Sequence, residues 1–192
     1  MKEILIKTVI TCILLFSNAL LSQDGIDIKD SEASQTNEFE EYKKQVIASL
    51  FGALDEQQMV IFSPERFQHT VTVFTDIDCG FCRKFHNEID QVMEQGIRIR
   101  YLFFPRTGPF SESWEKAEQV WCSQDQHRAM TKAKKGQNLT VRVCPNTPVE
   151  KHFNIGQLLQ VQGTPTIISD KGEIIIGYIQ AEALKARLES NL

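Results

Sequence analysis

The 192-residue chain has no surplus of basic residues, with 21 Lys plus Arg set against 25 Asp plus Glu and a formal charge of −4. A nucleic-acid binder displaces counterions from phosphates with excess Lys and Arg, so that class is set aside. Glycine is scarce at 10 residues and no heptad is sustained, which excludes collagen-like and coiled-coil arrays. Internal repeats and low-complexity tracts are absent too. What is there is ordinary globular composition, 42% hydrophobic and 24% charged, enough apolar surface to offset chain entropy. One main domain fits this length.

The first segment, Met1–Ser22, carries Lys2 and Lys7 ahead of an apolar stretch that runs from Thr8 to Leu21 around Ser17 and Asn18. That stretch is short of the ~20 apolar residues of a bilayer span and reads as a secretory signal processed near Ser22. Cys12 leaves with it. Cys79, Cys82, Cys122 and Cys144 remain, an even number that in an exported chain favours two disulfides, with three pairings open on spacing alone.

Along the chain, Gln23–Asn37 is polar and acidic and reads as a flexible lead-in. From Glu38 to Leu54 the residues Phe39, Tyr42, Val46, Leu50 and Leu54 recur at helical spacing, and Ile47 and Phe51 widen the same face. Such a helix either docks on its own domain or pairs with a second copy. Thr70–Thr75 reads as a strand, Gly80–Glu94 as a helix closed by Gly96, and Ile97–Phe104 as a second strand. Ser111–Lys135 suits helix, with Trp114, Ala117, Val120 and Trp121 as its apolar stripe and Gly136 as its stop. A helix at about Val149–Leu159, strands Thr166–Ser169 and Glu173–Tyr178 joined by Asp170-Lys171-Gly172, and a last helix Ala181–Leu188 complete the pattern. The expected organisation is a signal over 1–22, a lead-in and linker helix over 23–58, and an α/β domain over 59–192. In that domain a β-α-β half precedes a β-β-α half, with a helical insertion at about 111–147 between them.

Cys79-Gly80-Phe81-Cys82 sits where the first of these strands ends and a helix begins. The free N–H groups and dipole of a helix start stabilise anions, so a thiolate there drops from about 8.5 to roughly 3.5–7. Cys79 is expected as the exposed nucleophile and Cys82, one turn on, as the thiol that attacks a mixed disulfide at Cys79. Arg83 and Lys84 add favourable charge and Asp78 opposes it. Zinc would require a second close Cys or His pair, and only His127 lies near Cys122 and Cys144, so no metal is expected. Covalent haem would require His where Arg83 stands. A purely structural Cys79–Cys82 bridge is disfavoured because so small a ring is strained and readily reduced.

Cys122 and Cys144 read as a structural pair whose closure is worth roughly 3 kcal/mol, ahead of a second redox pair, for which no helix-start placement is evident. Phe81 and Phe85 suit packing, His86 a surface or partly packed site, and Asp76 a strand-end cap ahead of a proton relay. Gly163-Thr164-Pro165 precedes a strand, where a proline costs no ladder hydrogen bond.

Taken together, Val73-Phe74-Thr75-Asp76-Ile77 running into Cys79-Gly80-Phe81-Cys82-Arg83-Lys84-Phe85-His86, Ile97 to Pro105-Arg106, Trp121-Cys122 and Gly163-Thr164-Pro165-Thr166 resemble the thioredoxin superfamily. More narrowly they resemble the periplasmic disulfide isomerases of the DsbC/DsbG family, over roughly Ala48–Leu192. The resemblance implies a thioredoxin-like fold, a mixed central sheet flanked by helices with a helical insertion and an N-terminal linker helix. It implies Cys79 and Cys82 as the catalytic pair, Gly80 and Phe81 in the active-site loop, a cis Pro165, and Thr164 contacting thiols and bound peptide backbone. It also implies a Cys122–Cys144 structural disulfide.

By the same resemblance, no dissociable cofactor is required. The expected function is periplasmic isomerisation or reduction of non-native disulfides in cysteine-containing exported proteins, served by a membrane thiol reductase of the DsbD kind, with a homodimer formed through the N-terminal helix. A net dithiol oxidase and a non-catalytic peptide-binding chaperone are the competing expectations. Two departures stand out: only Gln23–His69 is available for the family's sheet-containing dimerisation domain, and Phe81 and Asp78 replace the more usual Tyr and Thr.

Overall fold

The computed structural model describes residues 28–190. The expected signal, 1–22, lies outside the described residues. Helix α1 spans Ile28–Gly52, so it starts inside the stretch read from composition as a flexible lead-in. Its first turns contain no Gly or Pro, and Lys29, Glu32, Ala33 and Gln35 favour helix against the weaker formers Asp30, Ser31, Ser34, Thr36 and Asn37. The residues from Glu41 onward form one compact unit.

After a 3₁₀ turn at Glu56–Gln58 come strand β1 (Val60–Phe62), strand β2 (His69–Thr75) and helices α2 (Gly80–Asn87) and α3 (Ile89–Glu94). Strand β3 (Ile97–Phe103) precedes α4 (Glu112–Trp121), α5 (Gln126–Lys134) and α6 (Val149–Leu158), and the chain closes with β4 (Thr166–Ser169), β5 (Ile174–Ile176) and α7 (Ala181–Glu189). The single helix expected over Gly80–Glu94 is two, because the Glu88 backbone leaves helical geometry at φ −102°, ψ 14°. Its side chain accepts from Tyr178 Oη at 2.6 Å, anchoring the break to the C-terminal part of the chain. The expected insertion helix is likewise two, and Asp125 caps the second through the Arg128 N–H.

The sheet order is β1-β3-β2-β4-β5, with β2 and β3 parallel and every other pair antiparallel. Alternation along the strands sends Val71, Val73, Ile99, Tyr101 and Phe103 to one core and Phe74 and Leu102 to the other. Ile47 and Phe51 of α1 fill the second core, together with Met59, Phe104 and Ile168. Each fully buried aliphatic or phenyl group there contributes about 1.5–3 kcal/mol. Arg100, buried on that face, donates to Thr72 Oγ1 and, at 3.2 Å, to the carbonyl of Phe51, which ties the end of α1 to β3.

The face of α1 that docks is not the one its strongest periodicity marks. Ile47 and Phe51 are buried, whereas Phe39, Tyr42, Val46 and Leu50 are exposed. The hairpin turn fixes this orientation. Gly172 has φ +79°, and a Cβ built on it would stand 1.8 Å from the carbonyl oxygen of Lys44, so only glycine lets the turn reach the helix backbone.

Candidate active site

Strand β2 is central and buried at every position but Thr70, and it delivers Asp76, Ile77 and Asp78 to a tight turn at its C-terminal end. Cys79 follows as the residue that caps α2, with extended backbone at φ −75°, ψ 123°. Its N–H donates to Asp76 O at 3.2 Å, and its carbonyl accepts the first helical bond from Arg83 N at 2.9 Å. Cys82 lies one turn further in, and both are free thiols. A cis peptide bond between Thr164 and Pro165 turns the chain into β4 and sets the Thr164 carbonyl 3.1 Å from Cys79 Sγ.

The nucleophile expected to be exposed is nearly covered. Cys79 retains 3% of its surface and Cys82 1%, because the Thr164-Pro165 segment closes over the pair. The approach is at the sides. Cβ atoms built on Gly80 and Gly163 would meet nothing within 4 Å, and Phe81 between the cysteines is 64% exposed. Phe81 is therefore a rim residue, while Phe85 is core.

The two sulfurs are electrostatically unlike. Hydrogen bonding from the Cys82 thiol lowers Cys79 to about 4, helped by Thr164, the Cys82 backbone N–H and the charge of Arg106, and opposed by burial. Cys82 moves up, first through burial and then through the same bond, which its proton serves. A thiolate in front and a thiol behind is the distribution that thiol exchange at Cys79 requires.

The charges around the pair are arranged differently from the reading of the chain. Arg83 donates to Ile77 O and pairs with Asp78 at 2.7 Å, and Lys84 sits 4.1 Å over the Tyr178 ring. Lys116 joins Asp78 from α4 at 3.0 Å, so the acidic residue beside the nucleophile is met by two cations. The cation acting on Cys79 is Arg106, from the segment after β3. Arg106 carries no role legible in the sequence, because 27 positions separate it from Cys79 and hide the proximity.

Asp76 serves as an anchor. Its two carboxylate oxygens accept from Asp78 N, Ser113 Oγ, Arg106 N and Arg106 Nε, joining β2, α4 and the segment after β3. Burial opposes its ionisation, yet these bonds outweigh it and hold the carboxyl below the usual carboxylate range. With both oxygens committed, the cap reading fits better than the proton relay.

His86, expected at a surface or partly packed site, is buried between Tyr101 Oη at 3.1 Å and Thr131 Oγ1 at 3.0 Å. Burial first, then the charges of Lys134 and Lys135, push it down to about 3, so it is neutral. Lys134, on α5, is buried as well, with Nζ donating to Thr75 Oγ1 at 2.6 Å and to Asp76 O at 2.8 Å. A lysine in the last turn of a helix ordinarily reads as solvated, so no local signal marked it. Cys122 and Cys144 are joined in a disulfide that ties the end of α4 to the segment before α6. Among the described residues no group of three His, Cys, Asp or Glu is placed to hold a metal.

A thioredoxin-like domain matches residues 56–191. The thiol:disulfide interchange protein DsbC of Dickeya dadantii is 35% identical over 136 residues, 71% of this chain and 57% of the relative. That of Salmonella typhimurium is 34% identical over 146 residues, 76% of this chain and 61% of the relative. The chain thus spans about three fifths of the length of these curated relatives. Among solved structures, a disulfide interchange protein from Neisseria gonorrhoeae superposes with a TM-score of 0.64 at 24% identity, covering 72% of this chain and 98% of the other. At that identity the likeness speaks for the fold.

Proposed function

The chain belongs to the thioredoxin-like domain family, and from that premise we propose that it is a thiol-disulfide oxidoreductase that isomerises or reduces non-native disulfides in cysteine-containing exported proteins. The observation that carries this reading is the unlike pair at the head of α2: Cys79 lowered to about 4, Cys82 raised, and the cis Thr164–Pro165 bond against the first. Cys79 thiolate attacks one sulfur of a substrate disulfide, forming a Cys79–substrate bond and releasing the other sulfur as thiolate. A second substrate thiolate then displaces Cys79, which is isomerisation, or Cys82 does so, which is reduction. Gly80, Phe81, Thr164 and Pro165 border the path by which the substrate backbone arrives.

The site of action in this reading is the periplasm. Support comes from the Lys2/Lys7 and apolar character of the first 22 residues and from the Cys122–Cys144 disulfide, a bond that oxidising compartments preserve. Among the described residues no helix is long and apolar enough to cross a membrane. The thiolate at Cys79 favours the reduced form of the pair, which in this reading is replenished by a membrane reductase of the DsbD kind. The exposed Phe39, Tyr42, Val46 and Leu50, spaced at three and four residues along α1, support self-association through that helix into a homodimer.

Thiol trapping in cells tests the direction of the chemistry. A protein found mostly reduced, restoring native pairing to a disulfide-scrambled substrate and losing that activity on Cys79→Ala, is the expected result. A mostly oxidised pair would mark a net oxidase, and function retained without the Cys79 sulfur would mark a chaperone.

A further inference from the structure

A buried lysine amine lies against the turn that presents the two thiols, without a carboxylate as hydrogen-bond partner. Lys134 is 1% exposed, and the two groups that accept from its Nζ, Thr75 Oγ1 and Asp76 O, are neutral. Burying a cation in this way is costly unless an anion accompanies it. An ammonium carries three donors, and these contacts use two. The same Asp76 carbonyl accepts from Cys79 N, so Nζ is held against the turn that presents the cysteines. The groups that act on it come from every side: Cys82, Cys79 and Asp76 favour its charge, Arg83 opposes it, and burial is the largest influence and lowers it. Neutral His86 on α2 and Tyr101 on β3 complete the surroundings, and Thr131, one turn earlier on α5, holds His86.

We propose that Lys134 is a positioning residue for the resolving step, supplying the counter-charge that lets the buried Cys82 thiol become a thiolate once a substrate is bound to Cys79. This rests on the redox reading above and deepens it. While Cys79 is a thiolate, the Cys82 proton is held between the two sulfurs and the ammonium faces one negative charge. When Cys79 is tied up in a mixed disulfide that charge is gone, and Lys134 favours ionisation of Cys82. The Cys82 proton passes to solvent, its sulfur attacks Cys79 Sγ, the Cys79–Cys82 bond forms and the Cys79–substrate bond breaks. The departing substrate sulfur takes the electron pair and then a proton, so the sum is one mixed disulfide plus one thiol giving one intramolecular disulfide plus one thiol. No other oxidant or reductant enters.

The two steps separate in a stopped-flow reaction of the reduced protein with excess glutathione disulfide, quenched and resolved by mass into mixed disulfide and intramolecular disulfide, over pH 5–9. Lys134→Gln keeps hydrogen-bond donors for Thr75 and Asp76 O and removes the charge; Lys134→Arg keeps the charge. The expected result is that in Lys134→Gln the second step slows about ten-fold more than the first at pH 7 and recovers as pH rises, while Lys134→Arg restores most of the rate. A second step with wild-type rate and pH profile in Lys134→Gln overturns the inference, as does equal slowing in Lys134→Gln and Lys134→Arg, which a packing defect would produce. Should Lys134→Gln fail to fold by near-ultraviolet circular dichroism, Lys134→Met and Lys134→Arg decide on the same criteria. A wild-type protein that forms no mixed disulfide overturns the redox reading itself, and this inference with it.

Discussion

Cys79 Sγ and the carbonyl oxygen of Thr164 stand 3.1 Å apart across 85 positions of sequence. In the thiol form the sulfur donates to that oxygen. In the thiolate form that bond is lost, and the negative sulfur relies first on the Cys82 thiol and then on the Thr164 side chain, the Cys82 backbone N–H and the charge of Arg106. The contact therefore marks where a substrate backbone, lying along Thr164, would come within reach of the nucleophile.

Alkylation of Cys79 should follow a titration with its midpoint near pH 4 and stay on a plateau through neutrality. Rates of iodoacetamide modification, read by mass on the Cys82→Ala background as well as in the wild type, check this. Loss of the Cys82 hydrogen bond should raise the midpoint. A wild-type midpoint near 8.5 would contradict the electrostatic account.

The same shift makes the stability of the reduced form depend on pH. A cysteine lowered to about 4 in the folded state stabilises it fully above the unfolded value near 8.5 and progressively less as pH falls toward 4. Cys82, shifted the other way, withdraws stability only as pH rises beyond the unfolded cysteine value. The reduced protein should thus gain on the disulfide form between about pH 4 and pH 8. The urea midpoint of the reduced form minus that of the disulfide form, taken across that window, should increase with rising pH; parallel curves would refute the linkage.

Replacing Asp76 with Asn should destabilise the protein by about 3 kcal/mol, since it removes a buried charge and turns one of the two acceptor oxygens into a donor that faces either the Arg106 donors or those of Ser113 and Asp78. Because the Asp76 carboxyl is held below its ordinary range, its contribution is present above pH 4 and is lost as pH falls through the lowered value. Urea unfolding at pH 7 and pH 3 checks both statements: the gap between wild type and Asp76→Asn should narrow at the lower pH.

Gly172→Ala should cost about 1–3 kcal/mol and act on α1, because a Cβ there meets the Lys44 carbonyl and strains a backbone at φ +79°. Hydrogen exchange should quicken over Lys44–Gly52 more than over β2. Uniform loss of protection would show that the turn does not hold the helix.

Changing Phe39, Tyr42, Val46 and Leu50 together to Glu, Ser or Lys should leave the fold intact and abolish self-association in light scattering, while Ile47→Ser should unfold it. A wild type that is monomeric at every concentration would remove the dimer from the proposed function.

What could be read in advance follows physical lines. From β2 onward the order of strands was legible because strand alternation, helical spacing and Gly punctuation act over a few residues, whereas the three-residue edge strand β1 is too short to show alternation; the head of α2 was legible because Cys79 and Cys82 sit at a strand-to-helix junction. The break at Glu88 was not, since no Pro or Gly announces it and its partner, Tyr178, is 90 residues away. For α1 the spacing identified apolar positions correctly and could not tell which of them dock, so Ile47 and Phe51 traded places with Val46 and Leu50. Burial of His86 and Lys134 depends on α5 folding over α2, a tertiary event with no local mark in either segment.

The pairing of β2 with β4 brings Val71 against Ser169 and Phe74 against Thr166. The reactive centre is therefore assembled late, by two stretches of polypeptide that leave the ribosome nearly a hundred residues apart, and closing so long a loop is slow and unrewarded until the sheet forms. Until that pairing forms, Cys79 lacks the contribution that Thr164 makes to its thiolate. Its full acidity is therefore a property of the closed sheet and not of the Cys79-Gly80-Phe81-Cys82 stretch alone.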